Sequence, residues 1–150
     1  MKNKNLIQSF KNAFNGLWIT YKKEKNFRIQ VSFAIIAIYF SLKFKIELIN
    51  FIFILLAVFL VLSSELFNSA LETLADKIEE NYDLKIKEMK DTLAGSVLLF
   101  SIFSVIIGLK IFLKYINRLD IFSIVFSVII IVIPFLIKDK NDIIKKRGDV

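Results

Sequence analysis

Apolar residues recur along this chain in two distinct patterns. Over residues 6–21, Leu6, Phe10, Phe14, Leu17, Trp18 and Tyr21 fall near helical spacing, with Gln8, Lys11, Asn12 and Asn15 between them. This periodicity predicts an amphipathic helix lying in a membrane interface, with Trp18 and Tyr21 at headgroup depth. Further along, the pattern becomes nearly continuous apolar runs at 29–44, 48–62, about 92–113 and 121–137. Such runs predict helices that cross a bilayer, the first of them short and the fourth interrupted by Pro134. Strands of a membrane barrel would alternate polar and apolar positions, and these runs do not.

The run 48–62 passes without Gly or Pro into SELFNSALETLAD, residues 64–76, so one helix is predicted to carry both, with its last turns outside the bilayer. On that helix Glu65, Asn68, Glu72 and Asp76 stand at i, i+3, i+7 and i+11 and share a face. Leu66, Phe67, Ala70, Leu71, Leu74 and Ala75 supply a packed or lipid-facing side. An acidic side chain in a membrane span costs roughly 3 kcal/mol on insertion scales, so Glu65 directly against this apolar run points to function. Residues 76–91 are dense in charge of both signs and read as the only substantial loop. Lys90 and Asp91 open the third span, where Asp91 also suits a helix cap. Gly95 and Ser96 just beyond them permit close helix approach.

Composition agrees with a membrane location. The chain has 150 residues, is 56% hydrophobic and has a mean hydropathy of +0.62, too apolar for a soluble domain of this size. It has no Cys and no His, which excludes disulfides, thiolate metal sites and the usual acid/base residue. The net charge of +7 suits anionic lipid and phosphate, and its position beside apolar spans argues against nucleic acid. No small-residue cleavage site follows the first apolar core, so a secretory signal is not expected. Lys and Arg concentrate in the N-terminal arm (Lys2 to Arg28), the middle loop (Lys77, Lys85, Lys87, Lys90) and the tail (Lys138 to Arg147). With four spans, all three regions fall on one side, which the positive-inside rule makes cytoplasmic. The expected fold is an all-α membrane protein: an N-terminal amphipathic interfacial helix, three transmembrane helices and a fourth, C-terminal one.

These residues are suited to phosphate chemistry. Magnesium takes oxygen ligands and is commonly held by one or two carboxylates plus substrate phosphates, a pair that Glu24 and Glu72 can supply. Glu65, nearest the apolar part, suits a general base, and Asn68 one turn on can orient a phosphate. Glu24 stands among three lysines and also reads as a surface charge. Phosphoryl transfer depends mainly on positioning and charge neutralisation, so this sparse set suffices. Neither GxxxxGK[ST] nor a kinase-type glycine loop is present.

The run E-L-F-N-S-A-L-E-T-L-A-D at 65–76 resembles the signature of the bacterial integral-membrane diacylglycerol kinase/undecaprenol kinase family. Two further pieces agree in order and distance: S-F-K-N-A-F-N-G-L at 9–17 with E-K-N-F-R at 24–28, and K-D-T-L-A-G-S-V-L-L at 90–99. Together they cover about residues 6–115. The resemblance implies a homotrimer in the cytoplasmic membrane that phosphorylates a membrane lipid hydroxyl with magnesium and ATP. It implies Glu65 as catalytic base, also meeting the substrate with Asn68, and Glu24 with Glu72 as magnesium ligands. Nucleotide contacts are implied for Gly16, Glu24, Asn68, Glu72, Asp76, Lys90 and Asp91. The N-F-R and A-G-S-V-L forms resemble the undecaprenol kinase branch, favouring undecaprenol over diacylglycerol. The family's frequent His-Pro pair in the middle loop is missing. Residues 1–117 then form the kinase unit, and 118–150 are an additional hydrophobic segment and basic tail. The competing class is a small proton- or cation-coupled transporter with Glu65 as coupling carboxylate, which leaves Glu72 and Lys90 unexplained.

Overall fold

The computed structural model describes residues 6–78 and 83–137, which are helical with no strand. Helix α1 is Leu6–Lys23, α2 Lys25–Lys43, α3 Leu48–Ile78, α4 Leu84–Phe112 and α5 Ile121–Leu136; a 3-10 turn, Leu113–Arg118, continues α4. The basic tail from 138 onward and the first five residues lie outside the described residues. Contact is greatest between α3 and α4, then between α2 and each of α3 and α5, while α1 touches α2 and α3.

Burial is inverted relative to a soluble bundle. Ser32, Ser41, Ala57, Ser64, Ser69 and Ala75 pack between helices, while Phe59 and Leu99 are 65% and 71% exposed. Small residues let helix backbones approach closely, and large apolar side chains face outward where lipid is the solvent. Among the described residues, α3 and the unit Leu84–Arg118 are by themselves long and apolar enough to cross a membrane. At 1.5 Å per residue the 31 residues of α3 extend about 46 Å, well beyond a hydrocarbon core of about 30 Å. Part of α3 must therefore extend beyond such a core. α5 is apolar throughout but has only 16 residues.

The charged loop is much shorter than its composition implies. α3 continues to Ile78 and α4 already begins at Leu84, eight residues before the predicted third span. Charge density does not oppose helix here, because Lys, Glu, Leu and Met are all good helix formers. The cap of α4 is Asp83, whose carboxylate accepts from Ile86 N–H at 3.0 Å, and not Asp91, which stands two turns inside the helix. Gly95 brings no neighbour close: a Cβ there would meet nothing within 4 Å.

α2 ends in a tight reversal. Ile46 N–H donates to the Ser41 carbonyl and Lys45 N–H to the Leu42 carbonyl, both at 3.2 Å, the double bond pattern of a Schellman turn. Lys45 sits at φ 51°, the left-handed region that burdens any residue with a Cβ. Lys45→Gly is expected to stabilise the protein by about 0.5–1 kcal/mol. Thermal unfolding in detergent would measure this; a lower midpoint would mean that the Lys45 side chain contributes more than the turn loses.

Candidate active site

The single-residue break between α1 and α2 sets the first carboxylate. Glu24 is the N-cap residue of α2, extended at φ −102° and ψ 114°, and its side chain does not cap the helix. It turns instead to α3, where Oε1 accepts from Ser69 Oγ at 3.0 Å and pairs with Lys23 Nζ at 3.2 Å. Lys23 Nζ also donates to Thr73 Oγ1 at 2.9 Å, a second link from this turn to α3.

Glu65 is 2% exposed, held between α2 and α3. Its Oε2 accepts from Gln30 Nε2 at 3.1 Å. One turn on, Asn68 Nδ2 donates to Glu72 Oε1 at 3.1 Å, so an amide orients the second candidate ligand. Lys90 of α4 pairs with Asp76 of α3 across the antiparallel hairpin. The i, i+3, i+7, i+11 face thus makes one contact to α2, through Glu65, and one to α4, through Asp76.

Two spaces meet at Gln30. A recess of about 300 Å³ is walled by Asn26, Gln30, Glu65 and Asn68 on one side and by Ala94 and Ser101 of α4 on the other. A larger groove of about 630 Å³ runs from Gln30 down α2 to Phe44, between α3 and α4, with Phe33, Phe40 and Phe112 along it. Ile29, Gln30 and Ser101 line both. Gln30 Oε1 and Asn68 Oδ1 are buried with no hydrogen-bond partner among the described residues. Each such acceptor costs about 1–3 kcal/mol unless a donor reaches it, so two of them beside a buried carboxylate mark a place built to receive one.

The donor set fits a hard cation only in company. No group of three or more acidic side chains that could hold an ion stands among the described residues. Two carboxylates, each steadied by a neighbour (Ser69 for Glu24, Asn68 for Glu72), match the way magnesium is held when substrate phosphates complete its shell.

The structure therefore sets Glu65, Asn68 and Glu72 along one face of α3 and brings Glu24 to the adjoining Ser69, with Asp76 and Lys90 paired a turn further out. Asp91 is exposed on α4 just past Lys90. Gly16 is not drawn in: it lies on the exposed α1 about two turns before Glu24, and a Cβ there would meet nothing within 4 Å. Sequence reasoning missed Gln30, Ser69 and Lys23. The signal for Gln30 was available, since an amide inside an apolar run is rarely idle.

The family described as prokaryotic diacylglycerol kinase matches residues 11–112, more than half of the chain. An undecaprenol kinase of Bacillus subtilis is 34% identical over 107 residues, 71% of this chain and 87% of that protein. A diacylglycerol kinase of Synechocystis is 34% identical over 105 residues, 69% of this chain but only 60% of that protein. No solved structure matches.

Proposed function

The chain belongs to the prokaryotic diacylglycerol kinase family and is a lipid kinase; from that premise we propose that ATP phosphorylates the hydroxyl of a membrane lipid at the recess beside Glu65, with undecaprenol the preferred acceptor. The observation that carries this reading is the buried Glu65, held by Gln30 where a polar recess opens into an apolar groove. The groove takes the lipid's chain and the recess takes its hydroxyl. Glu65 accepts the hydroxyl proton as the oxygen attacks the γ-phosphorus, whose bond to the β–γ bridging oxygen breaks, so that ADP leaves and the lipid phosphate forms. Gln30 fixes the direction of the Glu65 carboxylate, and the free oxygens of Gln30 and Asn68 receive donors of the bound substrates. Glu24 and Glu72 would hold magnesium together with the nucleotide phosphates, and the charge neutralisation it supplies would be set beside Glu65 by these two carboxylates. Lys90, aimed by Asp76, and Asp91 contact the nucleotide, and α1 with Gly16 lies over it from the interface.

The subunits assemble as a homotrimer whose neighbours complete each site. In support, one chain by itself presents two oriented carboxylates, and Phe67, Leu71 and Leu74 of α3 are left exposed. The protein sits in the cytoplasmic membrane with its site on the cytoplasmic side, the side favoured by the Lys and Arg of the N-terminal arm. Residues 1–117 form the kinase unit, and 118–150 are an addition to it.

Transfer of labelled phosphate from ATP to a panel of lipids tests the reading. Undecaprenol phosphorylation above diacylglycerol supports it; ion flux with no ATP turnover would revive the transporter. The groove has its own test. Gly108 lines it, and a Cβ there would meet nothing within 4 Å, so a large side chain can enter without clash. Gly108→Phe is expected to raise the KM for lipid about tenfold, the scale of roughly 1.4 kcal/mol of lost contact, while the KM for ATP stays constant. Equal changes in both constants would place the lipid elsewhere.

A further inference from the structure

Helix α5 lies beyond the residues that the family covers, yet it is fastened to α2 at both ends. At one end Lys43 donates to the Asp120 carboxylate and to Ser123 Oγ, and Tyr39 OH meets the same Ser123 oxygen at 3.1 Å. Ser123 has no exposed surface. The Lys43 ammonium, and after it the Ser123 hydroxyl and N–H, hold the Asp120 carboxyl below the usual carboxylate range. Because folding lowers that pKa, the contribution is complete at neutral pH and is lost only as pH falls through and below the ordinary range. At the other end Lys25 Nζ stands 4.7 Å from the centre of the Phe135 ring, and Arg28 Nη2 donates to the Ile137 carbonyl at 3.5 Å. α5 is thus antiparallel to α2 and as deep.

Arg28 carries this attachment toward the site. It is 1% exposed, and its Nη1 donates to the carbonyls of Lys22 at 3.0 Å and Tyr21 at 3.3 Å, in the last turn of α1. The last carbonyls of a helix have no intrahelical partner and form the negative end of its dipole. The ends of α1 and α5 therefore converge on one guanidinium, whose rigid plane of donors can serve several carbonyls at once. The turn between α1 and Arg28 contains Glu24, fixed on its far side by Ser69 of α3.

We propose that α5 and Arg28 form a positioning strut for the nucleotide site: the end of α5 steadies Arg28, Arg28 steadies the end of α1, and the turn between them keeps Glu24 against α3. The inference rests on the kinase reading above and gives the added helix a role within it. Without α5, Arg28 loses the Ile137 acceptor and its cover, and its hold on the carbonyls of Tyr21 and Lys22 loosens. Glu24 remains present but occupies its place on α3 for less of the time. Arg28 is a positioning residue here, acting through Glu24.

Steady-state kinetics in lipid vesicles test this on four proteins: the full chain, a chain ending at Leu119, full-length Arg28→Lys, and the two changes combined. Lysine keeps the charge but not the planar fork. Each single change is expected to raise the KM for magnesium-ATP roughly tenfold and to leave the KM for lipid within about twofold. The combined protein is expected to match the single changes, because both act through one contact. A chain ending at Ile137 is expected to keep the original constants. If the chain ending at Leu119 fails to fold, the full-length double change Asp120→Ala with Ser123→Ala releases the far end of α5, and a rise of roughly threefold is expected. An unchanged magnesium-ATP constant, multiplying effects, or a loss already complete in the chain ending at Ile137 overturns the strut. A full-length protein without lipid phosphorylation overturns the kinase reading instead.

Discussion

Glu65→Gln is expected to lower kcat for lipid phosphorylation by about 10²–10⁴, the range a positioned general base supplies. The substitution keeps volume and hydrogen-bonding capacity, so Gln30 still has a partner and the α2–α3 contact persists. What disappears is the one buried carboxylate among the described residues, the group placed to take the hydroxyl proton. Glu65 meets a single side-chain donor at 3.1 Å and is otherwise enclosed, so water has little access to replace it. Binding of a fluorescent nucleotide analogue is expected to stay within about twofold, because the nucleotide groups lie one to three turns further along α3. Retention of more than a tenth of the activity would show that proton removal does not limit the reaction or passes through another residue.

The second large effect is expected at the carboxylate pair. Glu24→Ala and Glu72→Ala should each lower kcat/KM for magnesium-ATP by roughly 10², since removing one of two oxygen ligands weakens the ion and misplaces the phosphates together. The combined substitution should cost little more than either alone, because residues that act as one unit are strongly non-additive. Raising magnesium should restore part of the loss in each single variant but none in Glu65→Gln, which separates ion binding from proton transfer. The two variants differ in structural consequence. Glu24→Ala also removes the acceptor of Ser69 Oγ and one of the partners of Lys23, which keeps Thr73, whereas Glu72→Ala removes only the partner of Asn68. A small loss of thermal stability is therefore expected for Glu24→Ala alone. Additive losses, or losses that magnesium does not relieve in either variant, would remove the pair from the metal.

Much of the site was legible along the chain because it follows a helical repeat. Glu65, Asn68 and Glu72 lie on one uninterrupted helix, and periodicity alone puts them on one face. Glu24, 41 residues upstream of Glu65, is paired with that face by ligand chemistry and by the resemblance, not by spacing, and the structure brings its side chain to Ser69 of α3. The charged loop was misread because charge was taken as a sign of irregular structure, while Lys, Glu, Leu and Met propagate a helix once Asp83 starts it. Gln30 was passed over because its importance is relational: an amide matters when its neighbour across the bundle is a buried acid. The exposed setting of Gly16 leaves its implied nucleotide contact a property of α1 and its neighbours, not of a close approach within one chain.

The order and type of the elements are local properties. Apolar period and absence of breakers are written in consecutive residues, so the chain by itself determined its all-helical character and the acidic face on the third helix. Which helix lies beside which is decided by packing between residues far apart in sequence, and only the tertiary structure could settle it. It set Gln30 against Glu65, opened the groove beside them, and turned the guanidinium of Arg28 to the ends of two helices, one of them 109 residues away. The physical reason is that a buried polar group takes its meaning from the partner that satisfies it, and no periodicity along a single helix names that partner.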